Sequence, residues 1–225
     1  MAARVSETFV LRTYPFREGD LIVSFFTRDL GKLRGVARRA RRPKSPFGSG
    51  LERLSQVRMT YYQRETAELA TLTGCELIQS QFDLGSDYGR GLALDFFTET
   101  AEHLLPAQEP NEKFFRLMMA SLAFLRSGVK RTAEGVVRDQ RDGDTWATIL
   151  YFALWTVKLA GILPEMRLKS ESVEIAEEML QKPLAALTPR AWSKGTAADL
   201  RRALVKSMEQ HVERKFLTVP LLEAL

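Results

Sequence analysis

Near residue 80 the spacing of apolar residues changes, and this change limits the fold more than any motif. Before it, apolar residues come in short runs rich in β-branched and aromatic types: VSETFVLRTY from Val5, LIVSFFT from Leu21, KLRGVA from Lys32, VRMTYY from Val57 and LATLTGCEL from Leu69. Pro15, Glu18-Gly19-Asp20 and Asp29-Leu30-Gly31 separate the first three runs, as turn residues separate strands. From Asp83 onward the apolar positions recur every three or four residues, the period of helices.

Five short strands and one long loop within the first 80 residues suggest a small barrel or sandwich, and an oligonucleotide-binding (OB) barrel has that size. The later segments predict an all-α region. Leu92, Phe96, Phe97 and Ala101 share one face of a helix that starts near Ser86 or Asp87 and ends before Pro106. Asn111 or a neighbour caps a second helix through Phe114, Phe115, Met118, Leu122 and Leu125, with Gly128 past its end. A third starts at Asp144 or Thr145 and stops at Gly161 and Pro164. The last long helix starts at Thr196, with Asp199 as an approximate capping box, and reaches about Phe216. Lys130 to Asp142 has no clear period, and Glu165 to Lys182 reads as a short helix. The expected architecture is α+β in two domains: an OB-type barrel over residues 1–80 and a helical domain over 81–225, with the boundary between Gln79 and Asp83.

Charge is distributed as unevenly as period. Residues 1–80 hold 14 Lys and Arg against 8 Asp and Glu, while the remainder holds 19 against 20. Half of the early cations fall in GKLRGVARRARRPKSPFGS, Gly31 to Ser49: Lys32, Arg34, Arg38, Arg39, Arg41, Arg42 and Lys44, with no acid among them. Pro43, Pro46, Gly48 and Gly50 make the second half of this stretch a loop. It is either a solvated basic arm or a surface for a polyanion. No apolar run reaches the roughly 18 residues of a membrane helix, and MAARVSETF has no signal-peptide core. A single cysteine fits a reducing cytoplasm.

Several chemistries are excluded by residue supply. One Cys and two His cannot form a four-ligand zinc site, so no metal and no cofactor are expected. His103 and His211 read as packed helix residues, and Cys75 as an inert strand thiol. No G-x-x-x-x-G-K-[ST] phosphate loop occurs. The acids of the barrel region are scattered, against the converging carboxylates of a two-metal nuclease. No enzyme is indicated. Nucleic-acid binding remains, with a cationic groove following phosphates and aromatic faces stacking on bases. Phe25 and Tyr61 are the aromatic candidates, and since neighbouring strand residues face opposite ways, at most one of Phe25/Phe26 and one of Tyr61/Tyr62 faces outward. Nothing here supplies base-edge readout, so sequence-independent binding is expected.

LRTYPFREGDLIVSFFTRDLGKLRGVARRARRPKS resembles the N-terminal barrel of the bacterial DNA repair RecO family. The family pattern T-x-x-x-G-K-x-x-x-x-A-[RK]-x-[AG]-[RK] with a closing Ser is met by Thr27, Gly31, Lys32, Ala37, Arg38, Ala40, Arg41 and Ser45. LWTVKLAGILPE, with Ala160-Gly161 and Pro164, and QHVERKFLTVPLL resemble its helical part. The resemblance implies a non-enzymatic recombination mediator, cytoplasmic and nucleoid-associated. Such proteins bind single- and double-stranded DNA and anneal complementary strands. With RecR, and in some bacteria RecF, they load RecA onto DNA coated by single-stranded-DNA-binding protein. It also implies that the helical domain holds that protein's acidic C-terminal tail, for which Tyr151, Trp155 and Lys158 are candidates. Many members carry a four-cysteine zinc module after the Leu-Gly-x-x-Pro turn; residues 165–182 stand in its place here without a cysteine. A protein–protein adaptor whose DNA binding is secondary is the alternative reading.

Overall fold

A computed structural model describes residues 3–63, 67–127, 129–132, 135–138, 143–165 and 167–225. Gly128, residues 133–134 and 139–142 of the segment Lys130 to Asp142, and residue 166 of the segment Glu165 to Lys182 lie outside the described residues. The chain divides into two compact units, residues 1–85 with 100–115, and residues 86–99 with 116–225.

The first unit holds the five expected strands: β1 (Arg4–Phe16), β2 (Asp20–Thr27), β3 (Gly31–Ala37), β4 (Gln56–Tyr62) and β5 (Ala70–Gln79). They form a closed barrel in the order β1-β2-β3-β5-β4. All pairings are antiparallel except β3 with β5, which is parallel. Closure removes every sheet edge, and this is the OB arrangement expected from strand count and loop length. Alternation puts Val10, Val23, Phe25, Leu33, Val57, Met59, Tyr61 and Leu72 inside. A bulge between Val10 and Arg12 leaves Leu11 unpaired in β1.

Residues 100–115 belong to the barrel unit, which periodicity alone did not indicate. They comprise the end of helix α2 (Tyr88–Leu104), the connection after it and the start of α3 (Glu112–Ser127). Phe115 packs on Phe9 at 4.8 Å and on Phe26 at 5.6 Å, and Phe114 meets Phe26 edge-on at 5.8 Å. Gln108 donates its backbone N–H to the Lys32 carbonyl at 2.9 Å. A short helix α1 (Phe82–Gly85) follows β5.

The second unit is helical apart from a hairpin, β6 (Val129–Thr132) with β7 (Gly135–Arg138), where no clear period was read. Its long helices are the 88–99 part of α2, the 116–127 part of α3, α4 (Gly143–Leu159), α5 (Ser170–Gln181) and α6 (Ala198–His211); α7 (Thr218–Ala224) closes the chain. Phe97 and Phe152 stack at 4.2 Å, and Phe96 contacts Phe152 and Phe216. Asp87, one of the two starts expected for α2, and Asn111, one of the caps expected for α3, accept the N–H groups of Arg90 and Phe114 at 2.9 Å each. Two details differ from the sequence reading. The last helix breaks at Val212, so that Phe216 precedes a separate short helix. Asp199 caps α5 instead of its own helix, accepting from Lys169 N at 2.8 Å and Ser172 Oγ at 2.5 Å. A carboxylate serving another helix's N-terminus is favoured by the same orphan N–H groups and dipole as a local cap.

Candidate nucleic-acid interface

Strand register sorts the outer face of β1, β2 and β3 into rows. The first row is Phe9, Phe26 and Lys32; the second Arg12, Ser24 and Arg34; the third Tyr14, Ile22 and Val36. The first row is covered by residues 100–115. There Lys32 Nζ donates to the Glu102 carbonyl at 2.5 Å, and burial lowers the ammonium's pKa from its ordinary value. Gly31, at φ +75°, stands so close to Glu109 that an added Cβ would lie 2.0 Å from its carbonyl oxygen. The Gly-Lys pair therefore anchors a neighbouring segment of the chain. The upper rows are partly open: Arg34 is exposed, Arg12 half-buried and Tyr14 38 % exposed, whereas Ser24 between the two arginines is fully buried and Ile22 and Val36 are half-buried.

The basic stretch continues from the open end of β3 as a folded surface, not a loose arm. Arg39 and Lys44 are held in the left-handed region, at φ 56° and 60°, a conformation that costs a non-glycine residue about 1 kcal/mol or more. Asp20 accepts the Arg39 N–H at 2.8 Å, and the Gly19 carbonyl accepts that of Arg41 at 3.1 Å. Beyond Pro46 the loop turns inward. Phe47 enters the barrel core, Leu54 is fully buried, and Cys75 Sγ contacts the Phe47 carbonyl at 3.4 Å. Burial pushes that thiol up to about 11, as expected of a structural cysteine.

Charge pairing separates this surface from the rest of the barrel. Arg28 is bound by Glu7 at 3.0 Å and Glu112 at 2.7 Å, and Arg58 by Glu76 at 2.6 Å. Arg42 meets Glu18 only at 3.9 Å, with both side chains largely exposed. Among the described residues Arg12, Arg34, Arg38, Arg39, Arg41 and Lys44 carry no ion pair. The cations of this stretch outnumber the two acids beside them, Glu18 and Asp20, and leave a positive potential for an external anion.

The expected cations thus separate into Lys32, which is engaged inside the unit, and Arg34, Arg38, Arg39, Arg41, Arg42 and Lys44, which remain on the surface. The two aromatic candidates are corrected. Phe25 and Tyr61 are both 0 % exposed and pack edge to face at 5.7 Å inside the barrel, and burial raises the Tyr61 phenol to about 12. Strand parity allowed one residue of each pair to face out. On β2 that residue is Phe26, which is covered in turn, and on β4 it is Tyr62. Arg12, Tyr14 and Arg17 lie on β1 and just beyond it, half-buried or exposed, and no sequence pattern singles them out. The register of β1 against β2 would have placed the first two beside Arg34, but the bulge shifts that register and is silent in sequence.

In the helical unit, Tyr151, Trp155 and Lys158 do come together along α4. Tyr151 lies 6.2 Å from Trp155, and the Lys158 ammonium stands 4.7 Å over the indole. The indole N–H is taken by the Met179 carbonyl at 3.0 Å. A cleft of about 290 Å³ lies elsewhere, with Phe96, Ile149, Val205 and Leu222 inside it and Arg202, Lys206 and Lys215 among its lining.

A closed five-stranded barrel of OB order, with one unpaired cationic face and an attached helical unit, defines the class. Residues 1–81 match the family described as Recombination protein O N terminal. Over 254 aligned positions the chain is 37% identical to the DNA repair protein RecO of Koribacter versatilis (strain Ellin345), with 98% of each chain covered. It is 27% identical to the DNA repair protein RecO of Syntrophus aciditrophicus (strain SB), over 73% of this chain and 58% of that one. It is 30% identical to the protein of the same name from Halalkalibacterium halodurans, over 72% and 57%. The chain therefore spans nearly all of the first relative and less than two thirds of the other two. It belongs to the RecO family of DNA repair proteins.

Proposed function

We propose that this chain is a cytoplasmic, DNA-binding recombination mediator, which anneals complementary strands and helps load RecA onto DNA coated by single-stranded-DNA-binding protein. One observation carries the reading: Arg34, Arg38, Arg39 and Arg41 are exposed and carry no ion pair among the described residues, while Arg28 and Arg58 are matched by acids. Arginine suits this work because its planar donors grip phosphate in pairs. By neutralising phosphates on two strands the surface lowers the repulsion that slows annealing. We take RecR, and in some bacteria RecF, as its partners on single- and double-stranded DNA, as the resemblance implies. The test is annealing of complementary oligonucleotides coated by single-stranded-DNA-binding protein, with a chelator control. The reading requires acceleration that survives chelation and is lost on reversing Arg38, Arg39, Arg41 and Arg42 to Glu. Acceleration that needs a divalent metal, or that survives the reversal, would contradict it.

The second reading, an adaptor acting mainly through protein contacts, is supported by the cleft in the helical unit. Glu209 and Glu223 in its lining are taken by Lys215 and Arg201, so its apolar floor with Arg202 and Lys206 suits a peptide that is acidic along its length and apolar at its end, the chemistry of the tail of single-stranded-DNA-binding protein. Of the two places for that tail, the cleft is better supported than Trp155, whose indole N–H and ring face are both engaged by this chain's own groups. Binding of a tail peptide that is lost in Arg202→Glu with Lys206→Glu, with annealing of bare strands unchanged, separates the two sites and the two readings.

A further inference from the structure

In an OB barrel the outer face of β2 and β3 is where a strand of nucleic acid usually lies. Here half of that face is already filled. Phe9 and Phe26 offer aromatic surface, and Phe114 and Phe115 of the same unit pack on it. Lys32, the cation in that row, is spent on the Glu102 carbonyl. A ligand on this face is confined to the rows nearer the basic loop.

Those rows hold a second set of the same groups. Tyr14 lies opposite Ile22, which lies opposite Val36, and one step along the face Arg12 lies opposite Ser24, which lies opposite Arg34. Neighbouring strands are about 4.8 Å apart and alternate residues on one strand about 7 Å apart. Tyr14 therefore sits on a half-buried aliphatic bed between two arginines and the start of the loop at Arg38. The Tyr14 side chain is 38 % exposed, and neither Tyr14, Arg12 nor Arg34 is engaged by a side chain among the described residues. Arg17, at the end of the same strand, lies over the Phe16 ring at 5.2 Å.

We infer that Tyr14 is a stacking platform for an unpaired nucleobase, with Arg12 and Arg34 taking the flanking phosphates, so that this half-face selects single-stranded over duplex nucleic acid. The inference deepens the DNA-binding reading above and rests on it. A base inside a duplex has both faces stacked on its neighbours and cannot use the phenol ring; a base of an open strand can. Stacking is tolerant of base identity, which agrees with a surface that offers phosphate contacts and no base-edge code.

The test compares single-stranded oligo(dT) and a duplex of equal length by fluorescence anisotropy in the full chain. Tyr14→Ala is expected to weaken the single strand by roughly 5- to 100-fold, to leave the slope of affinity against salt unchanged, and to move duplex affinity by less than about twofold. Tyr14→Phe, which keeps the ring, is expected to behave as the parent. Tyr14→Trp guards against a folding artefact: added oligo(dT) should quench its emission beyond any quenching of the parent. Loss of duplex and single-strand binding to the same degree, or no loss in Tyr14→Ala, overturns the inference. If Tyr14→Ala has no effect while reversal of Arg38, Arg39, Arg41 and Arg42 abolishes binding, stacking alone is overturned and the DNA-binding reading stands. If that reversal also has no effect, both fall.

Discussion

The carboxylate of Asp20, at the start of β2, accepts the backbone N–H of Arg39 at 2.8 Å. An acid on a cationic surface would ordinarily repel DNA, yet here it stabilises the left-handed turn that presents Arg38, Arg39 and Arg41. Two effects of opposite sign therefore compete in Asp20→Ala. Removing the charge should raise DNA affinity, whereas releasing the turn should lower it. Since Asp20 is, among the described residues, the one side chain that holds this turn, beside the Arg42 N–H to Arg39 carbonyl and Arg41 N–H to Gly19 carbonyl bonds of its backbone, we expect the second to win, by about threefold or more in Kd at moderate salt. Asp20→Asn, which keeps an acceptor oxygen, should match or exceed the parent. Higher affinity in Asp20→Ala would show that the acid acts by charge alone.

Gly31 and Lys32 should prove structural. Gly31→Ala places a methyl group 2.0 Å from the Glu109 carbonyl oxygen and puts a side chain at φ +75°. A destabilisation of about 3 kcal/mol or more is expected, read as a lower melting temperature of the barrel unit. Lys32→Met keeps the stem but leaves the Glu102 carbonyl without its donor, at a cost of about 1–3 kcal/mol. Its DNA affinity at a temperature where it is folded should stay within twofold of the parent. Arg34→Met, one row away, should lose affinity without losing stability.

Glu99 holds the last helix in place. Its carboxylate, 1 % exposed, accepts the N–H groups of Leu217 and Thr218 at 2.7 and 2.9 Å and the Thr218 hydroxyl at 2.6 Å. Glu99→Ala strands these donors and should cost about 2–4 kcal/mol. The three tryptophans, Trp146, Trp155 and Trp192, all lie in the helical unit, so urea unfolding followed by their emission reports on that unit. A shift below about 0.5 kcal/mol would mean that α7 contributes little to its stability.

The same probe reads an acid transition. The Thr188 hydroxyl and N–H, at 2.5 and 2.6 Å, with Lys182 and Arg190, hold the Glu178 carboxyl at about 2, down from 4.5. The folded pKa is depressed, so the stabilisation is complete above pH 4.5 and is lost as pH falls from there towards 2. Glu178→Gln should flatten the dependence of the urea midpoint on pH across that window. An unchanged slope would assign the acid sensitivity to other carboxylates.

Much of the barrel was legible in the sequence because alternation, β-branching and turn residues all agree there. Strand ends moved by only a few residues, and the events that change which side chains share a face are the bulge after Val10 and the two places where β5 skips Ile78 and Thr73 against β4. The basic surface was legible as charge, but its internal division was not. Lys32 looks like Arg34 in sequence, and only the return of residues 100–115 to the barrel buries one and leaves the other open. Phe25 and Tyr61 failed as base platforms for a related reason. Aromatic content marks a strand, whereas inward or outward facing depends on register, and two adjacent aromatics leave that open. In the helical unit, periodicity located α2, α3 and α4 well. It missed the break at Val212, where Phe216 keeps the apolar spacing going although the helix has ended.

The central claim is that the exposed arginines of residues 34–42 carry the binding of DNA through its phosphates. The most direct measurement is the slope of log affinity against log salt for a single-stranded oligonucleotide, compared with the variant in which Arg38, Arg39, Arg41 and Arg42 are all Glu. Each phosphate neutralised contributes about −0.7, so four to six contacts predict a slope of about −3 to −4 in the parent. The account predicts that the variant loses most of that slope and binds at least tenfold more weakly at moderate salt, with its thermal unfolding unchanged. Equal slopes and equal affinities in the two proteins would contradict it.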